Sequence, residues 1–199
     1  HIKQVIDVSP NAHTFARKAL SNHDIAHNYH HALLVLQNAA KIITGLELEG
    51  VTDINREIVL HSALFHDIID HKIYPGQDQS KLFDEIIQPF FVQEKLTHLS
   101  ARVKYIICNM SWSKGKEPDS TDMAIVMDAD RLEAIGCIGI ARTFAYNAGS
   151  HASNPLSAVV EHYHEKLQHV ADKIITTVGK ELAAERNIQM KTFFMEFMK

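Results

Sequence analysis

The sequence predicts an all-α fold, an irregular helical bundle. Apolar residues recur at helical spacing along almost the whole chain, and helix start and stop signals sit at the ends of those stretches. No alternating β-branched run with a hairpin turn occurs. Ser9-Pro10 opens the first helix, with Ser as N-cap and Pro at the first helical position. Ala12, Phe15, Ala16, Ala19 and Leu20 then line one face. A second helix is expected from near His27 to Thr44, stopped by Gly45; Ala32 to Ile43 is apolar nearly all round, which marks a central, buried helix. Thr52 or Asp53 caps a third, Ile54 to about Asp70, again apolar on most sides. Tyr74-Pro75-Gly76 is a loop. Leu82, Phe83, Ile86, Ile87 and Phe90 mark a fourth helix, disturbed by Pro89, and Leu96, Leu99, Val103, Ile106 and Met110 a fifth. Ser111 to Ser120, holding Gly115 and Pro118, is a loop. Thr121 to Tyr146 is helical with interruptions at Gly136 and Gly139, and Ser150 to Asn154 is a loop. Pro155 to the C-terminal end makes one long helix or two shorter ones broken at Gly179.

A chain of 199 residues with no repeat, low-complexity tract or linker reads as one domain, 1–199. At this length a core forms without disulfides or a structural metal. A composition of 46% hydrophobic and 22% charged residues excludes disorder, collagen and coiled coil. The net charge of -4 argues against a nucleic-acid polymer as partner. No apolar stretch reaches membrane-spanning length and no signal peptide opens the chain, so no membrane partner and a cytoplasmic location are expected. The two cysteines, Cys108 and Cys137, sit in apolar runs and read as reduced core residues. The abnormal number is 14 His, because histidine is the commonest metal ligand and titrates near neutral pH.

Two His-Asp dipeptides occur. His23-Asp24 lies in a polar stretch, where Asp24 reads as a helix cap. His66-Asp67 lies inside an apolar helix, where an unpaired carboxylate is costly; Asp67 therefore needs a partner, either a metal ion or an Arg or capping amide. His27, His30 and His31 cluster at the mouth of the second helix, with His27 and His31 on one face. Asp130 sits in another apolar helix, and the adjacent Arg131 points elsewhere, since neighbours on a helix do not face each other. Two His and two Asp from three helices form a mixed nitrogen and oxygen set, suited to one divalent ion (Mn, Mg, Fe, Co, Ni or Zn) rather than a thiolate-loving metal.

The order His31, then His66-Asp67, then Asp130 resembles the HD-domain metal-dependent phosphohydrolase superfamily. Asp128-Ala129-Asp130-Arg131-Leu132-Glu133-Ala134-Ile135-Gly136-Cys137-Ile138-Gly139-Ile140-Ala141-Arg142 is similar to its small nucleotide pyrophosphohydrolase branch. Phe65 to Lys72 and His162-Tyr163-His164-Glu165-Lys166-Leu167 fit the same branch, so the likeness covers about residues 20 to 198. It implies an HD-type bundle with His31, His66, Asp67 and Asp130 as metal ligands, and it places His27 on a second His of the branch. Three features depart from the pattern: Leu34 stands for an Arg, Asn28 for an Asp, and the Gly45 to Arg56 connection is longer. These departures leave the metal set whole and touch the substrate pocket.

The expected activity is hydrolysis of a small phosphorylated metabolite, first a nucleoside triphosphate cut to monophosphate and pyrophosphate. A divalent ion in this set acts as a Lewis acid and lowers the pKa of bound water. Asp70, one turn beyond His66, is the candidate for orienting or deprotonating that water beside Asp67. Lys72, Arg142 and His27 are the substrate-binding candidates, and Lys114 and Lys116 are further phosphate contacts. Alternatives are a nucleotide phosphomonoesterase or phosphodiesterase, a non-catalytic ligand-binding module, and a helical interaction protein with core histidines. All four metal ligands being present counts against the module. Phe193, Phe194, Phe197 and Met198 read as core or as a self-association face, leaving a homodimer open. His162 and His164 diverge on their helix, and His151 and His169 read as surface residues.

Overall fold

The structure, a computed structural model, describes residues 7–22, 27–149 and 154–199. His23-Asp24, His151 and most of the Ser150 to Asn154 loop lie outside the described residues. Those described form helices and turns, with no strand. α1 (Pro10–Ala19) starts as read: the Ser9 hydroxyl accepts the Ala12 N–H. α2 (Tyr29–Leu48) is the central helix, with Ala32, Val35, Ala39, Ile42 and Ile43 fully buried against α3 (Arg56–Phe65) and α7 (Thr121–Leu132). It begins later than expected, because the Asn28 side chain caps it by accepting the His30 and His31 N–H groups. His27 therefore precedes the helix and does not share a helical face with His31. α2 also runs through Gly45: a Cβ there would lie 2.7 Å from Val178, so this glycine admits α11 (Thr177–Phe197) rather than ending α2.

α3 is shorter than the expected Ile54 to Asp70. Asn55 caps it, since Asp53 is engaged with the Thr121 hydroxyl. Past Phe65 the chain tightens into turns, with Ile68 N–H on Phe65 O and Asp70 N–H on Asp67 O. The fourth helix is three segments: α4 (Gln79–Leu82), a π-turn (Phe83–Ile87) and α5 (Gln88–Gln93). The wide turn stands directly before Pro89, whose ring would clash with a regular helix carbonyl. α6 (Thr97–Asn109) follows, then a 3₁₀ turn (Trp112–Lys114) inside the expected loop.

Gly136, at φ +77°, breaks α7 from α8 (Gly136–Gly149), as read; Gly139 lies within α8 and breaks nothing. The buried stripe of α8 is Gly136, Gly139 and Thr143, so Cys137 points outward and is exposed, not core as expected. α9 (Pro155–His162) leads through a second π-turn (Tyr163–Leu167), α10 (Gln168–Val170) and a 3₁₀ turn (Ala171–Lys173) into α11. The break falls at Ile174 to Thr176 rather than Gly179, because the Asp128 carboxylate holds the Ile175 and Thr176 N–H groups and Thr176 caps α11. On α11, Phe194 is core, stacked 4.0 Å from Tyr163, while Phe197 and Met198 are partly exposed. His169 is exposed, as read, and so is His164.

Candidate active site

Three helix ends meet at one end of the bundle. The first turn of α2 brings His31, the turn after α3 brings His66 and Asp67, and the last turn of α7 brings Asp130. His31 Nε2 lies 3.5 Å from Asp67 Oδ2 and 3.4 Å from Asp130 Oδ1. His66 Nε2 lies 3.2 Å from Asp67 Oδ1 and 3.7 Å from Asp130 Oδ1. Donor atoms of His31, His66 and Asp67 all fall within 4.8 Å of one another. Metal bonds of about 2.1 Å at 90–109° separate neighbouring ligand atoms by roughly 3.0–3.4 Å, so the spacing suits a small cation.

The partners of these atoms point the same way. His66 Nδ1 donates to the Ala63 carbonyl at 2.8 Å, which leaves Nε2 as the free nitrogen aimed at the carboxylates. Among the described residues that Nε2 and Asp67 Oδ2 are buried with no hydrogen-bond partner. A buried carboxylate oxygen and a buried imidazole nitrogen without partners are expensive unless a cation lies between them. Burial disfavours charge on both residues, yet each charges the other. His66 is pushed up to about 9 because the Asp67 and Asp130 carboxylates overcome its desolvation. Asp67 is held well below the usual carboxylate range, its desolvation outweighed by His66 and His31. For His31 burial wins over the same carboxylates, and its imidazole is pushed down.

A cavity of about 220 Å³ opens over this cluster, lined also by Asp70, Lys72, Trp112, Arg131, Arg142, Lys166 and His27. Asp70 faces the cavity, with Oδ1 accepting the Lys72 N–H at 2.8 Å and Oδ2 lying 3.5 Å from His71 Nδ1. Lys72 Nζ is 3.1 Å from His27 Nε2, so two substrate-binding candidates meet. Arg142 Nη1 donates to the Glu133 carbonyl at 2.9 Å, which anchors its guanidinium at the cavity wall. Lys114 and Lys116 do not join this wall. Lys114 turns to Gln79 and the Cys108 carbonyl, and Lys116 to Asn109. The turn Trp112–Lys114 presents its tryptophan to the cavity instead.

Sequence reasoning missed Trp112, Arg131 and Lys166. Arg131 avoids Asp130, as expected, and donates to the Lys173 carbonyl, with Asp128 at 3.8 Å. Lys166 rides the second π-turn, a feature frequent at functional sites. Burial pushes its ammonium down, with Asp130 pulling the other way. Among the described residues it has no hydrogen bond or ion pair; its Nζ stands 5.6 Å from the Trp112 ring centre. Its signal lay in the His162 to Leu167 stretch, which carries part of the family likeness without assigning Lys166 a role.

Relatives and solved structures match most of the chain. The Bacillus subtilis protein YpgQ is 32% identical over 195 residues, which is 94% of this chain and 90% of YpgQ. The crystal structure of YpgQ in complex with ADP superposes with a TM-score of 0.69 at 27% identity, over 94% of this chain and 90% of the other. An HD-superfamily hydrolase from Bacillus thuringiensis superposes with a TM-score of 0.67 at 31% identity, covering 95% and 94%. The HD domain family model matches residues 28–135, a span that takes in His31, His66, Asp67 and Asp130. This chain, whose three helix ends gather those four side chains, belongs to the HD-domain family.

Proposed function

We propose that this protein is a metal-dependent phosphohydrolase of nucleotides, with a nucleoside triphosphate cut to monophosphate and pyrophosphate as its reaction. One observation carries the reading: the buried group of His31, His66 and Asp67, with the partly exposed Asp130 beside it, forms the floor of a cavity walled by Lys72, Arg131, Arg142 and Lys166. A floor that suits a cation beneath a cationic wall fits a polyphosphate better than a neutral metabolite. The ADP complex of YpgQ and the hydrolase from Bacillus thuringiensis support the nucleotide and the hydrolysis. The whole of 1–199 acts as one domain in this reading, because the cavity draws residues from His27 to Val170. Nucleotides also fit the cytoplasmic location expected from the sequence.

His31, His66, Asp67 and Asp130 would hold the ion, which when bound supplies Lewis acidity toward a phosphate oxygen and acidifies a water. Asp67 acts as a ligand. Asp70, with Oδ1 fixed by the Lys72 N–H, offers Oδ2 to orient the attacking water and take its proton. Lys72 and Arg142 neutralise the phosphate chain, and His27 positions the Lys72 ammonium. Lys166, with no anionic partner of its own among the described residues, is available to the leaving phosphate.

The test is metal analysis of the purified protein, followed by a screen of phosphorylated metabolites with phosphate and pyrophosphate measured separately. The reading expects bound divalent metal and pyrophosphate release from a nucleoside triphosphate. Release of phosphate alone means a phosphomonoesterase. Bound metal or nucleotide without turnover means a non-catalytic module.

A further inference from the structure

We infer that the nucleoside of the substrate lies in a second chamber, against Tyr146 and His162, while its phosphate chain crosses Lys72, Arg142 and Lys166 to the His31, His66 and Asp67 centre. The inference rests on the nucleotide reading above and adds the direction in which the nucleotide lies. The second chamber, of about 340 Å³, shares Lys72, Arg142 and Lys166 with the first. That volume falls within the range of about 300–1,000 Å³ usual for small-molecule pockets.

Charge sets the direction. All three cations stand on the wall common to both chambers. Beyond them the second chamber adds no Lys or Arg; it adds Thr143, Asn147, Glu161 and Glu165. Hydroxyl, amide and carboxylate groups suit ribose hydroxyls and base edges, and two glutamates repel a phosphate chain. The stacking surface is there as well. Tyr146 is 43% exposed, and the His27 ring stands edge-on to it at 6.2 Å. Burial, then Lys166 and Lys72, push the His162 imidazole down, so it faces the chamber neutral. Bases stack readily on such rings.

The reverse orientation would set the base on Trp112. That ring already has the Arg131 guanidinium 5.8 Å and the Lys166 ammonium 5.6 Å from its centre, which places it among the phosphate-binding cations. A base there would have to displace both, and the phosphates would run toward Glu161 and Glu165.

Trp112 is the only tryptophan of the chain, so its fluorescence reports on this point directly. The Mg²⁺-supplemented protein is titrated with α,β-methylene-ADP and with methylenediphosphonate, the same bridged chain without a nucleoside, with affinities checked by calorimetry. Both ligands are expected to change Trp112 emission equally at saturation, since the phosphonates reach Lys166 and Arg131 in each case. Tyr146→Ala and His162→Ala are each expected to lower the affinity for α,β-methylene-ADP, relative to methylenediphosphonate, by ten-fold or more. Tyr146 is partly exposed, so its variant keeps the test alive if His162→Ala fails to fold. An emission change specific to the adenosine ligand, with that affinity ratio unaltered in the variants, puts the base on Trp112 and overturns the inference alone. If neither ligand binds the wild-type protein, the nucleotide reading falls and the inference with it.

Discussion

Asp67 and Asp128 both place a carboxylate among apolar helices, at 6% and 0% exposure. Around Asp128 the chain supplies every partner: the N–H groups of Ile175 and Thr176, the Thr176 hydroxyl, and Arg131 at 3.8 Å. Around Asp67 it supplies two histidines and leaves Oδ2 without a hydrogen bond among the described residues. Burial pushes the Asp128 carboxyl up against its backbone hydrogen bonds, whereas His66 and His31 hold Asp67 charged in spite of burial. Two carboxylates with the same sequence signature thus do different work. One closes the α7 to α11 joint, and the other faces a gap that suits a cation.

The sharpest way to break this contrast is to neutralise each carboxylate in turn. Asp67→Asn is expected to lose metal and turnover together, with kcat/KM down by more than about 10⁴-fold, the scale of losing a group the chemistry depends on. Metal content measured alongside activity checks it; a variant that keeps both makes Asp67 a structural residue like Asp128. Asp70→Asn separates chemistry from binding: metal content and folding stay near normal while turnover falls roughly 10²–10⁴-fold, in kcat more than in KM. Wild-type turnover would make Asp70 a bystander.

Asp128→Asn is expected to do the opposite. It should retain metal and lose about 2–4 kcal/mol of stability, since buried hydrogen bonds to a charged acceptor are broken. For a chain of this size that is a fall of roughly 4–16 °C in Tm, read from a thermal melt. Chelation should lower the wild-type midpoint as well, because a ligand bound only by the folded state at 100 Kd contributes about 2.7 kcal/mol. An unchanged midpoint after chelation would mean that Asp67 and Asp130 are satisfied by the protein alone.

Much of the contrast was legible in the sequence, and its limits have physical causes. His31, His66, Asp67 and Asp130 could be found because charged or ligating groups inside apolar helical stretches demand an explanation. Whether Asp128 or Asp130 would be satisfied by the chain could not be read, because the partners of Asp128 come from residues 175 and 176, far along the sequence. The same reason hid the end of α2: Gly45 looks like a stop until Val178 is seen against it. Lys166 and Trp112 were missed because a lone lysine and a lone tryptophan carry no pattern, and only the fold brings the turn before α7 and the π-turn after α9 to one cavity.

A smaller effect concerns a buried histidine outside the metal cluster. His61 packs among Phe65, Phe90 and Phe91, and burial pushes its imidazole down against the hydrogen bond to the Glu57 carbonyl. Above its ordinary value of 6.5 the group is neutral folded and unfolded, so it confers no pH dependence there. Below 6.5 the unfolded chain takes up a proton that folded His61 resists, so stability falls as pH falls toward the lowered value. Melts of the wild type and His61→Phe across this window should show a shallower acid loss in the variant. Parallel curves would remove His61 as a cause.

The central claim is that His31, His66, Asp67 and Asp130 hold one divalent ion. A crystal structure of the protein grown with Mn²⁺, with the ion located by its anomalous signal, tests it most directly. The account predicts one peak bonded to His31 Nε2, His66 Nε2 and a carboxylate oxygen from each aspartate, at about 2.0–2.6 Å. A peak elsewhere, or four side chains with no common point within about 3 Å, would contradict it.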